Sequence, residues 1–394
     1  MTISSMEYPL PGKPVVEPSV GSLATRVITT RQELQMYAER WNELLEQSAA
    51  NTMFLTWEWM NAWLDVVHPE ARLLVIVVTD EYGSLVAVAP FYRTRMRLLG
   101  VVDYRCLRVI GDCESGAEYP DLIIRAGYEQ AVMRLLIQAL LERQNKWDCL
   151  WLPNVAGWTG ALERFQALCL LGGFYLHERE RDFASVTLPD THERYWELLS
   201  GNARSSIRRH TKQLGVAHVE LVRCDDANDV PRFLAVLFDL HRRRWTSVGE
   251  EGSFVRRPCM VRFYEQFAPL ALKEGWLRLY ALKVDGVVRA VQYGYVYGGT
   301  FYQLQEGFDP KVSHGIGNIL RNLVFQACIE EGLDDYDFLG EFTDHKRRWG
   351  AKQRFGHDLF IGRRSLTNRL LFTRKIWPTG RYIREDQFGF SHTL

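Results

Sequence analysis

The sequence has no run of the about 18 apolar residues that a membrane-spanning helix needs, so no transmembrane segment is expected. It also lacks a charged-then-apolar leader. The N-terminus reads MTISSMEYPLPGKPVVEPSVGS, rich in Pro, Ser and Gly. That composition predicts a disordered lead-in over residues 1–24, and the cytoplasm as the compartment. Net charge is absent, because 48 basic residues balance 48 acidic ones. Without excess positive charge the chain is a poor bulk binder of polyanions, and no DNA partner is expected. Cysteine is sparse and unpatterned. The seven, at 106, 113, 149, 169, 224, 259 and 328, form no C-x-x-C or Cys/His spacing. They read as reduced, buried thiols rather than metal ligands. No serine nucleophile elbow, G-x-G-x-x-G fingerprint or Walker A sequence is present, which argues against a hydrolase, a dehydrogenase and an NTPase. What remains is an ordinary globular composition, 47% hydrophobic and 24% charged over 394 residues, long enough for two or three domains.

The most informative stretch runs from Gly275 to Gly350. Asp285-Gly286 lies between two apolar, β-rich runs and predicts a hairpin. Gly315 and Gly317 follow and open an apolar helix near Asn318. Glycines at a helix entrance let backbone N–H groups approach an anion, and the helix dipole favours negative charge there. Gly315, Ile316, Gly317 and Asn318 are therefore candidate contacts for a phosphorylated cofactor. Before the loop, Tyr302, Gln305, Glu306 and Asp309 sit at a strand end, with Asp309 equally a turn-former. After the helix comes Tyr336-Asp337-Phe338-Leu339, read as a strand, and then Gly340-Glu341-Phe342-Thr343-Asp344-His345-Lys346-Arg347-Arg348-Trp349. Strand C-termini line ligand crevices in open α/β folds. Glu341, Asp344 and His345 are candidate bases here, and Lys346 a candidate electrophile or phosphate contact.

The order of elements repeats. Residues 72–92 and 276–295 are each a β-run, an acidic-plus-glycine turn and a second β-run. The first copy continues with β-type pieces near 107–110 and 121–124, a helix at about 128–144 and a strand at 148–152. Two helices are predicted before it, 31–47 and 56–67, with Thr56 an N-cap. Residues 160–170 and 229–245 read as further helices, 183–188 as a strand, and 365–394 as a peripheral tail with a short basic helix. Only the second copy carries the two-glycine loop. Arg204, Arg208 and Lys212 fall at i, i+4 and i+8, one face of a helix that would attract a polyanion or simply face solvent. His241 through Trp245 lead into Gly249–Phe254, a candidate lid over an acceptor.

Taken together, Gly307-Phe308-Asp309, Gly315-Ile316-Gly317, Glu331-Gly332, Tyr336-Asp337-Phe338, Gly340-Glu341 and the run from His345 to Gly350 resemble the acyl-CoA-binding core of the GNAT acetyltransferase superfamily. A block from Asn202 through Lys212 adds to the match. The finer pattern is similar to the double-domain, BioF2-like or cellulose-biosynthesis-associated branch, related to Fem-like transferases. Val312 departs from the superfamily pattern, which has Gln or Arg there. The resemblance implies an α/β fold of two tandem GNAT-like units, each a mixed twisted sheet flanked by helices: a degenerate unit at 25–185, an acyl-CoA-binding unit at 186–365, and a tail at 366–394. It implies transfer of an acyl group from acetyl-CoA or another acyl-CoA to an amine of a small-molecule or phosphorylated sugar or lipid acceptor. Glu341 or Glu306 would take the proton, with His345 and Lys346 close by. Arg204, Arg208, Lys212, Tyr302 and Trp245 would face the acceptor. A non-catalytic scaffold of an exopolysaccharide system and a Fem-like aminoacyl-tRNA-dependent transferase are the alternative readings.

Overall fold

The computed structural model describes residues 23–98, 102–112, 115–215, 217–312, 315–374 and 383–384. The expected lead-in lies outside them up to residue 22, and Ala24 already begins a strand. Cys113 lies outside them too; the other six cysteines are free thiols, five of them buried.

In chain order the first half holds β1 (Ala24–Ile28), α1 (Arg31–Gln35), α2 (Ala38–Glu46), α3 (Trp57–Val66), β2 (Arg72–Thr79), β3 (Leu85–Leu98), β4 (Val102–Val109), β5 (Ile123–Ile124), α4 (Glu129–Glu142), β6 (Cys149–Ala156), α5 (Ala161–Gly172) and β7 (Tyr175–Thr187). The second holds α6 (His192–Leu198), α7 (Gly201–Gln213), β8 (Val219–Arg223), α8 (Val230–Thr246), α9 (Ser253–Arg256), α10 (Pro258–Lys273), β9 (Leu277–Val284), β10 (Val287–Tyr297), β11 (Thr300–Phe308), α11 (Ile316–Glu330), β12 (Asp335–Asp337), α12 (Asp344–Arg348), β13 (Lys352–Gly362), α13 (Leu366–Thr373) and β14 (Ile383–Arg384).

The strands form one sheet in the order β1-β2-β3-β4-β6-β13-β7-β12-β11-β10-β9-β8, with β5 and β14 beside β3. The two hairpins expected from sequence are β2–β3 and β9–β10. The second turns at Asp285 and Gly286, with φ of 50° and 78°. Both are positive, as a type I′ turn requires, and Asp-Gly is suited to it. Each half of the sheet runs outward in the same order, β6-β4-β3-β2-β1 mirrored by β12-β11-β10-β9-β8. At the centre the halves exchange their last strands: β7 pairs with β12, and β13 pairs with β6. The proposed boundary at 185/186 falls inside β7.

Two expectations are corrected. The helix expected over 31–47 breaks at Met36–Tyr37 into α1 and α2. The helix after the glycine loop starts at Ile316, near Asn318 as expected. The C-terminal helix α13 is not peripheral, because Leu371 and Phe372 pack against Trp151 and Phe360 and Asn368 is fully buried. Between the halves, Trp59 of α3 packs its ring on Phe263 and Phe267 of α10, with centroids 4.8 and 4.9 Å away. Edge-to-face aromatic pairs of this kind add about 0.5–1.5 kcal/mol beyond area burial and fix relative orientation.

Candidate active site

The site is made by a fork in the sheet. β11 and β12 run parallel and pair only at 300–302 against 335–337. Beyond Tyr302 and Asp337 they diverge. On its other side β11 slips register against β10, so that Tyr293 faces Gln305 but Gly294 faces Gln303. Leu304 is the extra residue of a β-bulge, which breaks the in–out alternation. Gln303, Leu304 and Gln305 consequently all border one cavity of about 350 Å³. Glu118, Arg256, Arg257 and Lys346 also line it, bringing both halves of the chain to one place.

Glu118 was not singled out by the sequence. One of its carboxylate oxygens, Oε2, is sealed from solvent with no hydrogen-bond partner. Burial, reinforced by the Asp337 charge, pushes its carboxyl up to about 8, while Lys346 pulls the other way. Asp337, at the tip of β12, accepts from Tyr119 Oη at 2.9 Å and from the Leu339 backbone N–H at 2.8 Å. Burial raises it to about 6 in spite of those bonds. The Leu339 carbonyl accepts from Lys346 Nζ. Burial lowers the Lys346 ammonium, against the pull of Glu118 and Asp337. Tyr119 and Leu339 hold φ of 60° and 54°. Such left-handed backbone in bulky residues is strained and persists where surrounding contacts over-determine it. Here it aims Glu118 and the Lys346-binding carbonyl at one space.

A second polar cluster lies beside this pair. Glu306 binds Arg321 and, at 2.9 Å, Arg244 Nη1. Burial opposes the charge, but Arg321 and Arg244 hold the carboxyl below its ordinary range. Arg321, 3% exposed, also donates to His345 Nε2 at 2.8 Å. Guanidinium has only donors, so Nε2 must accept and the imidazole proton sits on Nδ1. Burial of the ring and the Arg321 charge lower His345 to about 4, keeping it neutral although the residue retains an exposed edge.

The other sequence candidates are distributed as follows. Glu341 is exposed and borders neither cavity described here. Tyr302 packs its ring on Phe54 of the first half, 5.4 Å between centroids. Trp245 donates to His241 Nε2 at 2.9 Å, and the same nitrogen meets Ser253 Oγ at 3.1 Å. Asp309 accepts from the Lys311 N–H at 3.0 Å, as a turn-former does. Arg204, Arg208 and Lys212 do lie on one helix, α7. Arg204 donates to the Trp196 carbonyl at 3.3 Å, and Arg208 lies over the Trp196 ring.

A second cavity, of about 410 Å³, opens on the opposite side of the fork. The pocket-facing residues of α7 are Asn202, Ala203, Ser206 and Ile207, off the cationic stripe. Asn318, His345 and Arg348 also line it. Asn318, in the first turn of α11, and the Arg348 guanidinium give the cavity a polar, basic lining that suits a phosphate-bearing donor such as an acyl-CoA. Gly315, Ile316 and Gly317 are not among its lining residues. The glycines have a use in packing. A Cβ on Gly315 would overlap the His210 ring, and one on Gly317 would come within 3.1 Å of Phe308. They admit α7 and β11.

Residues 201–347 match the family described as "Acetyltransferase (GNAT) domain". The chain therefore carries a GNAT-type acetyltransferase domain. No curated protein sequence matches the chain. Among solved structures, FemX superposes with a TM-score of 0.61 at 12% identity, covering 89% of this chain and 99% of that one. L-PGS from Bacillus licheniformis gives 0.48 at 14% identity, over 86% and 96%. A tandem GNAT protein from the clavulanic acid biosynthesis pathway gives 0.46 at 14%, over 86% and 98%. The likeness to FemX is one of fold. The GNAT domain makes the chain a transferase and supports an acyl transfer.

Proposed function

We propose that this GNAT protein transfers an acyl group, most simply acetyl from acetyl-CoA, to the amine of a small molecule held in the 350 Å³ cavity. The observation that carries the reading is the Glu118 carboxyl, with its unpartnered oxygen, set beside Lys346 where β11 and β12 part. An acyl-CoA would lie in the second cavity, its phosphates toward Asn318 and Arg348, and would supply an acyl thioester. Glu118, as carboxylate, accepts the proton that the amine nitrogen must lose as its new C–N bond forms and the C–S bond breaks, with CoA leaving as the thiolate. A carboxyl raised to about 8 is a strong enough base to do this near neutral pH. Lys346 supplies positive charge where the carbonyl oxygen turns negative. Glu306, bound by two arginines, and His345, whose lone pair is taken by Arg321, hold the fork in shape. Of the candidate bases, Glu118 replaces Glu341 and Glu306 in this proposal. An acyl-CoA donor accords with the cytoplasm as the compartment of the reaction.

The contact of His210 with Gly315 favours a second reading, a donor that does not bring a diphosphate to the glycine entrance, such as an aminoacyl ester. Calorimetry with CoA and acetyl-CoA separates the two. Binding weakened by Arg348→Ala supports the acyl-CoA donor; absence of binding to the wild type rejects it.

A further inference from the structure

Gln292 and Tyr336 are polar and fully buried. Gln292 Nε2 donates to Tyr336 Oη, and Tyr336 Oη donates to Gln303 Oε1 at 2.7 Å. Gln303 lines the 350 Å³ cavity, so this chain of bonds runs from the core to the site. Its direction is set by charge. Gln303 Nε2 faces Glu306 Oε2 at 3.4 Å. Arg321 and Arg244 hold Glu306 ionised, and a carboxylate can only accept. The Gln303 atom on that side is therefore the amide nitrogen, and its oxygen is left for Tyr336. Tyr336 spends its one proton on that oxygen and must accept from Gln292. Gln292 does this at a cost, because its Oε1 is sealed from solvent with no hydrogen-bond partner among the described residues. An unmet buried acceptor destabilises the fold and calls for a role outside packing.

Gln303 also stands where the two cavities meet. Tyr302 and Asp337 are the last paired residues of β11 and β12, and Gln303 is the first residue beyond them, at the root of the fork. Through Glu306 and Arg321 it is joined to His345, which lines the second cavity. An acyl group passed from a donor in the second cavity to an amine in the first has its carbonyl at this wall.

We propose that Gln303 is a further catalytic residue, whose amide N–H donates to the acyl carbonyl oxygen, and that Tyr336 and Gln292 are its positioning residues. The inference rests on the reading of the two cavities as donor and acceptor sites. One N–H of the amide is directed at Glu306 and the other serves the carbonyl. As the amine attacks, an electron pair moves onto the carbonyl oxygen; it returns as the C–S bond breaks. The amide keeps both protons throughout, and its hydrogen bond strengthens while the oxygen is negative. Lys346 brings charge on a flexible stem, whereas an amide fastened at both ends brings a fixed direction.

The test needs no acceptor. Acetyl-CoA labelled with carbon-13 at the thioester carbonyl is bound to the full chain. Isotope-edited infrared difference spectra read its carbonyl stretch, and calorimetry reads its affinity. In the wild type the stretch should lie below that of free acetyl-CoA, as for any carbonyl that accepts a hydrogen bond. Gln303→Met, similar in length but without a donor, should lose most of this displacement. Its affinity should fall no more than about tenfold, the worth of one neutral hydrogen bond. Tyr336→Phe and Gln292→Met leave the amide present but unfastened, and should broaden the band and return it part of the way. A merely structural loss would lower the melting temperature without moving the carbonyl. Should Gln303→Met not fold, Tyr336→Phe keeps the cavity's shape and carries the same test. A carbonyl unshifted in the bound wild type, or a displacement that survives Gln303→Met, overturns the role of Gln303 and leaves the acyl-CoA reading standing. A band unmoved in Tyr336→Phe removes Tyr336 and Gln292 from positioning. A wild type that binds neither acetyl-CoA nor longer acyl-CoAs rejects the acyl-CoA reading, and this inference with it.

Discussion

At the scale of single residues, the structure distinguishes carboxylates that the sequence leaves equivalent. Glu118 is poised, Glu306 is locked and Glu341 is exposed. Glu118→Gln removes the proton acceptor and little volume, so turnover should fall by roughly 10²–10⁴ with both substrates still bound. In the wild type kcat/KM should rise with pH through about 8, as Glu118 ionises. The variant should lose that limb; if it keeps both the limb and the rate, Glu118 is not the base. The same residue makes a stability prediction. Its folded carboxyl lies above the ordinary glutamate value of 4.5, so folding favours the protonated form. That contribution is complete below about 4.5 and lost as pH rises through about 8. Thermal unfolding should therefore show Glu118→Gln matching the wild type at pH 4 and exceeding it at pH 9. Glu306 behaves oppositely. Glu306→Gln leaves Arg321 and Arg244 without their counter-charge, at a cost of about 3–5 kcal/mol. Glu341→Gln, on an exposed loop, should stay within about 0.5 kcal/mol of wild type.

At the scale of elements, much was legible because its signal is local. Asp285-Gly286 demands a hairpin whatever surrounds it, and Thr56 caps α3 through the Trp59 N–H at 3.3 Å, as its sequence position predicts. The arginine stripe on α7 follows from spacing alone. Missing from the sequence was anything set by pairing between distant segments. The bulge at Leu304 depends on the register of β10 against β11, and no residue type there announces it. Glu118 stands in Gly-Ala-Glu-Tyr-Pro with no periodicity, and only the meeting of the two halves gives it Lys346 as a neighbour. The sequence reads the glycines of the loop as an anion cradle; the structure gives a packing reason for them. Gly315→Ala should push the His210 ring off α11 and lower the melting temperature. His210→Ala combined with Gly315→Ala should recover most of the loss, a coupling that a double-mutant cycle measures directly. Additive losses would show that the α7–α11 contact does not depend on that ring.

At the scale of the whole molecule, the exchange of β7 and β13 bears on how the tandem units can be separated. β7 leaves the first half of the chain, yet its neighbours are β12 and β13. β13 is paired with β7 along its length, from Lys352 against Ser185 to Gly362 against Tyr175, and with β6 on its other edge. Cutting the chain at the proposed 185/186 boundary would strip β12 and β13 of a central neighbour and leave β6 an open edge. Central strands carry unpaired N–H and C=O groups when uncovered, and such edges aggregate. The 350 Å³ cavity would be lost as well, since Glu118 and Lys346 lie on opposite sides of the cut. Separate halves should therefore be insoluble or unfolded, although each contains one complete repeat of the element order. The intact chain should unfold in one step in which calorimetric and van't Hoff enthalpies agree, despite a length at which independent domains are common. Two resolved transitions, or a folded monomer from residues 188–374 alone, would mean that the exchanged strands do not couple the units, and the shared sheet would then be two sheets in contact.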